Sequence, residues 1–190
     1  MNLGERLGLS RDISTKAEEL DGLSRDEDWR VRWNVAQNPN TSGETLAKLS
    51  EDKIHHVRWH VADNPHTSVE TLAKLSRDKD ADVRCNVASN PHTSVETLTK
   101  LSKDEDWYVR RNISQSTNTP IFVLEKLSGD EVETVRESAI QNTNNYRVRE
   151  MIKLGKNNNF EVSCLEIYTL NVEFLKFWKN GLFEIIGRAL

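Results

Sequence analysis

Apolar and polar positions recur along this chain with a fixed period of 26 residues. A Leu-Ser pair opens each copy, an Asp stands two residues beyond its Ser, and a Val-Arg pair follows. The Leu-Ser pairs begin at Leu23, Leu49, Leu75, Leu101 and Leu127, and the Val-Arg pairs begin at Val31, Val57, Val83, Val109 and Val135. A period of this length over five copies predicts a solenoid, whose units bury their apolar faces only against neighbouring units.

Each unit is predicted to hold a short first helix. In the third copy of the pattern, Thr67 is expected to cap this helix and Glu70 to reach back and complete a capping box. The apolar residues Val69, Leu72 and Leu75 are spaced by three. That spacing fits a 3₁₀ segment as well as two turns of α-helix.

A second helix is predicted over about residues 78–88, with Asp78 or Asp80 near its start, where a carboxylate favours the helix dipole. Val83 marks its buried face. The Asn-Pro pair at Asn90 ends the helix, because the residue before a proline is pushed out of the α region.

The array is predicted to fill the whole chain, residues 1–190, as one solenoid. Residues 1–22 are interpreted as an N-terminal cap in which the segment 9–12 opens a unit whose second helix is deleted. Five repeats, beginning at residues 23, 49, 75, 101 and 127, extend to residue 153. A degenerate repeat and a C-terminal cap follow over 154–190. The aromatic residues there either close the core or form a docking face: Phe160, Phe174, Phe177 and Phe183.

The repeated pattern L-S-x-D-x-D-x-x-V-R-x-N-V-A-x-N-P-x-T-S-x-E-T-L resembles the leucine-rich repeat variant family, a relative of HEAT-type α-solenoids. The resemblance implies an all-α, right-handed superhelix of alternating α- and 3₁₀-helices. A known member also carries an iron–sulfur domain held by clustered cysteines. The only cysteines of this chain, Cys85 and Cys164, form no such cluster, so no cofactor is expected. The family implies no shared activity, since a fold does not fix a function.

An Arg and an Asp are present in every full unit. At a fixed spacing they would stack along the solenoid, as a phosphate-binding series of arginines or as a structural ladder of bidentate Arg–Asp bonds between units. Equal numbers of the two signs favour the structural ladder: Asp26, Asp52, Asp78, Asp104 and Asp130 with Arg32, Arg58, Arg84, Arg110 and Arg136. The corner residues Asn38, Asn64 and Asn90 are expected to satisfy backbone groups of the stacked turns.

Two positions of the second helix vary from unit to unit and lie opposite the buried valines on a helical wheel. Tryptophan is common at these positions, although the repeat does not require it. Exposed tryptophans often mark binding hot spots, and the alternative is that these indoles pack in the grooves between units. The candidate binding residues are Trp29, Trp33, His55, Trp59, Trp107 and Arg111.

The overall charge argues against general nucleic-acid binding, which requires a basic surface. The 190 residues carry a formal net charge of −4. The segment HHVRWH contains His55, His56 and His60, but no third ligand with fitting spacing is visible, and no metal site is expected. The N-terminus has no apolar signal region and no apolar span is long enough for a membrane, so a cytoplasmic location is expected.

Three functions compete at this stage. The sequence favours a non-enzymatic scaffold that binds a protein or peptide on the concave face of the second helices. The alternative is a nucleic-acid-binding HEAT-like solenoid, which a net positive groove would favour. An enzyme that uses Asp63 or Asp106 as its base is the third, although nothing singles out either residue.

Overall fold

The computed structural model describes residues 1–157, with side chains described as far as residue 145. The chain divides into two compact units, residues 1–139 and 140–190. Within the described residues there are eleven helices and no strand. The predicted degenerate repeat from residue 154, apart from its first four residues, and the aromatic residues from Phe160 onward lie outside the described part of the chain.

Long and short helices alternate, numbered here α1 to α11 in chain order. The long ones have nine residues: α1 (Leu3–Arg11), α3 (Trp29–Gln37), α5 (His55–Asp63), α7 (Ala81–Ser89) and α9 (Trp107–Gln115). The short ones have seven: α2 (Ala17–Leu23), α4 (Gly43–Leu49), α6 (Val69–Leu75), α8 (Val95–Leu101) and α10 (Ile121–Leu127). A final helix, α11, runs over Glu133–Asn157. The all-α class and the 26-residue helix pair are thereby confirmed.

The N-terminal segment is a full helix pair, which corrects its interpretation as a half-repeat. Helix α1 lies 26 residues before α3, and α2 lies 26 residues before α4. Residues 9–11, interpreted from the sequence as the opening of a unit, are instead the end of α1. The pattern concealed α1 because Glu5 stands where the other units have a buried Val, and Asn2 with Glu5 forms a capping box of its own.

The short helices are α-helical at their backbone hydrogen bonds. In α4 the N–H of Leu46 donates to the carbonyl of Ser42 at 2.9 Å, and the N–H of Ser50 donates to the carbonyl of Leu46 at 2.9 Å. Both are bonds from residue i to residue i−4, the α-helical pattern. The short helix is therefore the α alternative that the spacing left open, and not the 3₁₀ helix that the family resemblance implied.

The short helices are capped by serine, which corrects the predicted capping box. Ser68 is the N-cap of α6, and its Oγ accepts the N–H of Thr71 at 3.2 Å. Thr67 is buried, and its hydroxyl donates to the carbonyl of Val61 at 2.5 Å. That carbonyl lies in the last turn of the preceding long helix, where carbonyls lack intrahelical partners. Thr67 therefore ends one helix, and Glu70 at the second helical position is too near the cap to form the box.

The long helices begin and end much as the sequence predicts. Helix α7 is capped by Asp80, whose carboxylate accepts the N–H of Asp82 at 3.0 Å. Its C-cap is Asn90, immediately before Pro91. Asp78, the other candidate for the start, lies outside the helix and takes part in the inter-repeat contacts described below.

The core of the first unit is a column of identical layers. Each long helix packs against the next long helix, and each short helix packs against the long helices on both sides of it. The long helices supply valines four residues apart and the short helices supply leucines three apart. These side chains are almost completely buried, among them Val31, Val35, Leu46, Val57, Val61, Leu72, Val83, Val87 and Leu98.

We expect Val83→Asp to unfold the middle of the array, because it would bury an unpaired carboxylate at a side chain that is 0% exposed. The free energy of unfolding should fall by several kcal/mol, a large part of a typical domain's stability. Val95→Asp is the matched control, because that valine is 52% exposed in the first turn of α8. Urea denaturation followed by circular dichroism measures both, and equal midpoints for the two variants would contradict the core assignment.

Candidate binding face

Bidentate Arg–Asp pairs join successive repeats. In each pair the arginine Nε and Nη2 donate to the two carboxylate oxygens of the Asp 20 residues ahead. For Arg58 and Asp78 the distances are 2.6 and 2.8 Å, and for Arg84 and Asp104 both are 2.8 Å. The pairs of this ladder are Arg32–Asp52, Arg58–Asp78, Arg84–Asp104 and Arg110–Asp130.

The ladder begins one unit earlier than the sequence interpretation placed it. Arg6 Nε lies 2.7 Å from Asp26, so Asp26 also has a ladder partner. Arg6 stands 26 residues before Arg32, so the repeat period itself carried the signal. At the other end, Arg136 donates to the backbone carbonyl of Asp130 at 2.7 Å. The residue 26 positions after Asp130 is Lys156, so the series of aspartates stops there.

The environment of the ladder keeps its carboxylates ionised. Burial opposes the charge of Asp52, but hydrogen bonds from Arg32 and from the N–H of Ile54 outweigh it and leave the pKa of Asp52 below its usual value. The hydrogen bond from Arg110 is the largest influence on Asp130 and likewise lowers its pKa. The arginines are thus engaged with carboxylates inside the array and are poorly placed to bind a phosphate.

The corner asparagines form a second set of contacts between repeats. Asn64 Nδ2 donates to the carbonyls of Ala36 at 2.8 Å and Asn38 at 3.2 Å, while its Oδ1 accepts the N–H of His66 at 2.9 Å. Asn90 makes the same three contacts one repeat further on. Each corner therefore satisfies backbone groups of its own turn and of the preceding one.

The candidate binding residues divide into two groups by exposure. Trp29 and Trp107, in the first turns of α3 and α9, are 41% and 45% exposed. Tyr108, which the sequence interpretation missed, is 43% exposed and lies edge-on to Trp107 with ring centroids 5.8 Å apart. His55 and Arg111 are half-buried. Tyr108 occupies the position of Arg30 in the first repeat, so the same helical wheel could have found it.

Trp33 and Trp59 are half-buried and pack against the hydrophobic core. They do not stand directly side by side, because the ring of His60 lies between them. Its centroid is 4.9 Å from that of Trp33 and 4.6 Å from that of Trp59, both in edge-on geometry. His60 is 8% exposed, and burial lowers its pKa, which favours the neutral ring. The packing alternative describes these two tryptophans better than the hot-spot alternative.

The exposed rim of the long helices is made by their first turns and the residues just before them. We call residues 27–30, 53–56, 79–82, 105–108 and 131–134 the first-turn row; none of them is buried. It holds eight carboxylates against three basic side chains. The carboxylates are Glu27, Asp28, Asp80, Asp82, Glu105, Asp106, Glu131 and Glu133, and the basic residues are Arg30, Lys53 and Lys79.

No metal-ligating cluster forms among the residues that the structure describes. His55 and His56 lie close together, with ring centroids 4.0 Å apart, but acquire no third ligand. Cys85 is buried, and this burial raises the pKa of its thiol to about 12, so the thiol stays protonated. None of the helices within residues 1–157 is both long and apolar enough to cross a membrane.

The family model of the leucine-rich repeat variant matches residues 29–53 and 81–106, which contain α3 and α7. The array belongs to the leucine-rich repeat variant family. A solved leucine-rich repeat variant, described as having a novel repetitive structural motif, aligns with 74% of this chain at 24% identity and a TM-score of 0.60. That likeness shows the fold alone, and this chain spans only 56% of that protein.

Two man-made proteins also match the leucine-rich repeat variant array. One is an engineered protein with 18% identity and a TM-score of 0.47, covering 87% of this chain and 97% of its own. The other is a designed armadillo repeat protein with 18% identity and a TM-score of 0.43, covering 74% and 91%. No curated protein matches the sequence.

Breaking one pair of the leucine-rich repeat variant ladder should be costly. We expect Arg84→Ala to lower the free energy of unfolding by about 3–5 kcal/mol, because it leaves the Asp104 carboxylate buried and unpaired. Arg30→Ala is the control, because its partner Asp28 lies on the exposed rim, where ion pairs contribute about 0–1 kcal/mol. Chemical denaturation compares the two, and a loss for Arg84→Ala as small as the control's would show that the ladder is not structural.

The two groups of tryptophans should respond differently to truncation. Trp59→Ala removes packing against His60 and the core, so we expect a loss of about 2–4 kcal/mol. Trp29→Ala removes a side chain on the rim and should cost about 1 kcal/mol or less. Thermal melts of the single variants test this, and equal losses would place both indoles in the same environment.

Proposed function

We propose that this array is a non-enzymatic scaffold that binds a segment of another protein along its long helices. The observation that carries the proposal is the exposure of large aromatic side chains on the rim, Trp29, Trp107 and Tyr108. Such residues are frequent hot spots at protein interfaces, because one side chain buries a large flat surface on binding.

The frame of the repeat does not require these aromatic residues. Their positions hold Ala81 and Asp82 in the third repeat and Glu133 in the fifth, while the ladder and the core stay the same. Since folding does not account for tryptophan at these positions, ligand binding is the physical role that does. The stacked long helices offer such a ligand a continuous surface.

Charge supports a protein ligand over a nucleic acid. The ladder arginines are paired with buried aspartates, and the first-turn row carries more carboxylates than basic groups. Neutralising phosphates needs free basic side chains on one face, and this surface offers few.

The two carboxylates considered as catalytic bases have ordinary surroundings. Asp106 caps α9 by accepting the N–H of Tyr108 at 2.8 Å. Asp63 is exposed at the end of α5. Neither lines the two clefts of about 290 Å³ at the N-terminal end of the array, between the ends of α1 and α3 and between α2 and α4. Neither position gives a reason to invoke catalysis.

Selection of displayed random peptides of about twelve residues against the immobilised chain tests the proposal. We expect the selected peptides to lose about 2 kcal/mol, or roughly thirtyfold in Kd, with Trp29→Ala/Trp107→Ala. Val69→Ala/Val95→Ala is the matched control, because those side chains are 44% and 52% exposed on short helices. Its binding should match that of the unmodified chain.

Two outcomes would overturn the proposal. One is that the selected peptides bind the tryptophan variant as tightly as the unmodified chain, which would place the binding surface elsewhere. The other is that oligothymidine or a DNA duplex binds more tightly than any selected peptide with a steep salt dependence, which would favour the nucleic-acid alternative.

A further inference from the structure

The first-turn row offers two kinds of group along its length. In the first and fourth repeats it presents the rings of Trp29, Trp107 and Tyr108. In the third and fifth it presents carboxylates, Asp82 and Glu133, that have no ion-pair partner among the described residues. Both kinds of group attract cations, the rings through their π faces and the carboxylates through charge-assisted hydrogen bonds.

The basic side chains within the row do little to cancel this preference. Arg30 is occupied by Asp28, with Nε 3.0 Å and Nη2 2.6 Å from the carboxylate oxygens, and its hydrogen bond lowers the pKa of Asp28 to about 2. Lys79 is flanked by two carboxylates, Asp80 and Asp82. Lys53 stands beside His55 and His56, so only the second repeat is unfavourable for a cation.

We propose that the first-turn row binds an extended segment of a partner protein that carries Arg or Lys at every third residue. This inference rests on the proposed function and specifies its ligand. The cations would lie on Trp29, on Asp82, on Trp107 with Tyr108, and on Glu133, while the residue opposite the second repeat is uncharged.

The spacing follows from the geometry of the array. Packed neighbouring helices are separated by about 8–10 Å. A polyproline II segment rises about 3.1 Å per residue and has three residues per turn, so every third side chain points the same way at intervals of about 9 Å. One such turn matches one repeat. A chain with that spacing therefore presents one side chain to each first turn without bending.

The preference for cations is specific to this rim. Glu27 and Glu131 extend to ladder arginines, with contacts of 3.5 Å to Arg6 and 3.3 Å to Arg110. Asp80 and Asp106 accept backbone N–H groups as helix caps. What remains for a ligand is Asp82, Glu105 and Glu133, which are all exposed. Arg111, half-buried one turn below Trp107, is the remaining cation near this path.

Fluorescence anisotropy with synthetic peptides tests the proposal. The probe is a fluorescein-labelled peptide of repeated Arg-Pro-Pro triplets. Its control has the same composition with the arginines adjacent in pairs, and a second control has Gln in place of Arg. We expect the triplet peptide to bind at least about tenfold more tightly than either control, because only it places one cation at each repeat.

Protein variants locate the binding. Asp82→Asn/Glu133→Gln should weaken the triplet peptide about tenfold or more, whereas Glu19→Gln/Glu125→Gln changes the net charge equally on exposed short-helix positions and should alter Kd less than twofold. Lys53→Glu adds a carboxylate at the second repeat and should tighten the binding of a triplet peptide with a cation there. This gain keeps the test decisive even if the double variant is unstable.

The outcomes separate this inference from the proposed function. If the triplet peptide fails to bind while display-selected peptides still depend on Trp29 and Trp107, the ligand is a protein segment but not a cationic one. If the paired-arginine control binds equally well, the attraction is general charge and the one-cation-per-repeat inference is wrong. Unchanged affinity in both the Asp82/Glu133 variant and Lys53→Glu would overturn the placement on this row.

Discussion

The structure depends on the buried ion pair between each arginine of the ladder and the aspartate of the next repeat. Arg58 illustrates its double role, since Nη1 donates to the carbonyl of Asp52 at 2.7 Å within its own repeat while Nε and Nη2 hold Asp78 in the next. Asp78 in turn accepts the N–H of Asp80 at 3.0 Å, just before α7. One guanidinium therefore fixes two turns and the start of the following helix.

This arrangement makes the charged groups mutually necessary. An isolated charge buried at this depth would be strongly destabilising, but each group here has its partner at bidentate distance and further backbone hydrogen bonds. Because every repeat supplies an arginine to one neighbour and an aspartate to the other, the stability of each repeat depends on both neighbours. The pair therefore controls the spacing and register of the long helices as well as their stability.

The periodic sequence predicted the helix pairs, the buried valines and the Arg–Asp positions because these features repeat without change. Prediction was weaker where one signal had two physical explanations. A Thr three residues before a Glu suggests a capping box, but Thr67 instead satisfies a carbonyl of the preceding helix. Helix α1 was concealed by Glu5 at a core position, although Arg6 preserved the period.

The candidate site was less predictable than the frame. A helical wheel places Trp33 and Trp29 about equally far from the buried valines, yet they differ in exposure. The difference arises from the neighbouring repeat, where His60 contacts Trp33 at 4.9 Å between ring centroids, whereas the contact of Trp29 with His56 is looser at 6.1 Å. A wheel describes one helix in isolation, so it cannot include a contact made by the next.

A rigid frame with variable first turns suits recognition of an extended chain. The ladder and the core set the interval between repeats, so the ligand is read one repeat at a time by side chains that folding leaves free to vary. Replacing Trp107 and Tyr108 by Glu133 and Thr134 from one repeat to the next changes the local chemistry without altering the contacts that hold the array together. Specificity for a ligand can therefore change by single substitutions on the rim, while any change in the ladder would shift the spacing on which all the rim positions depend.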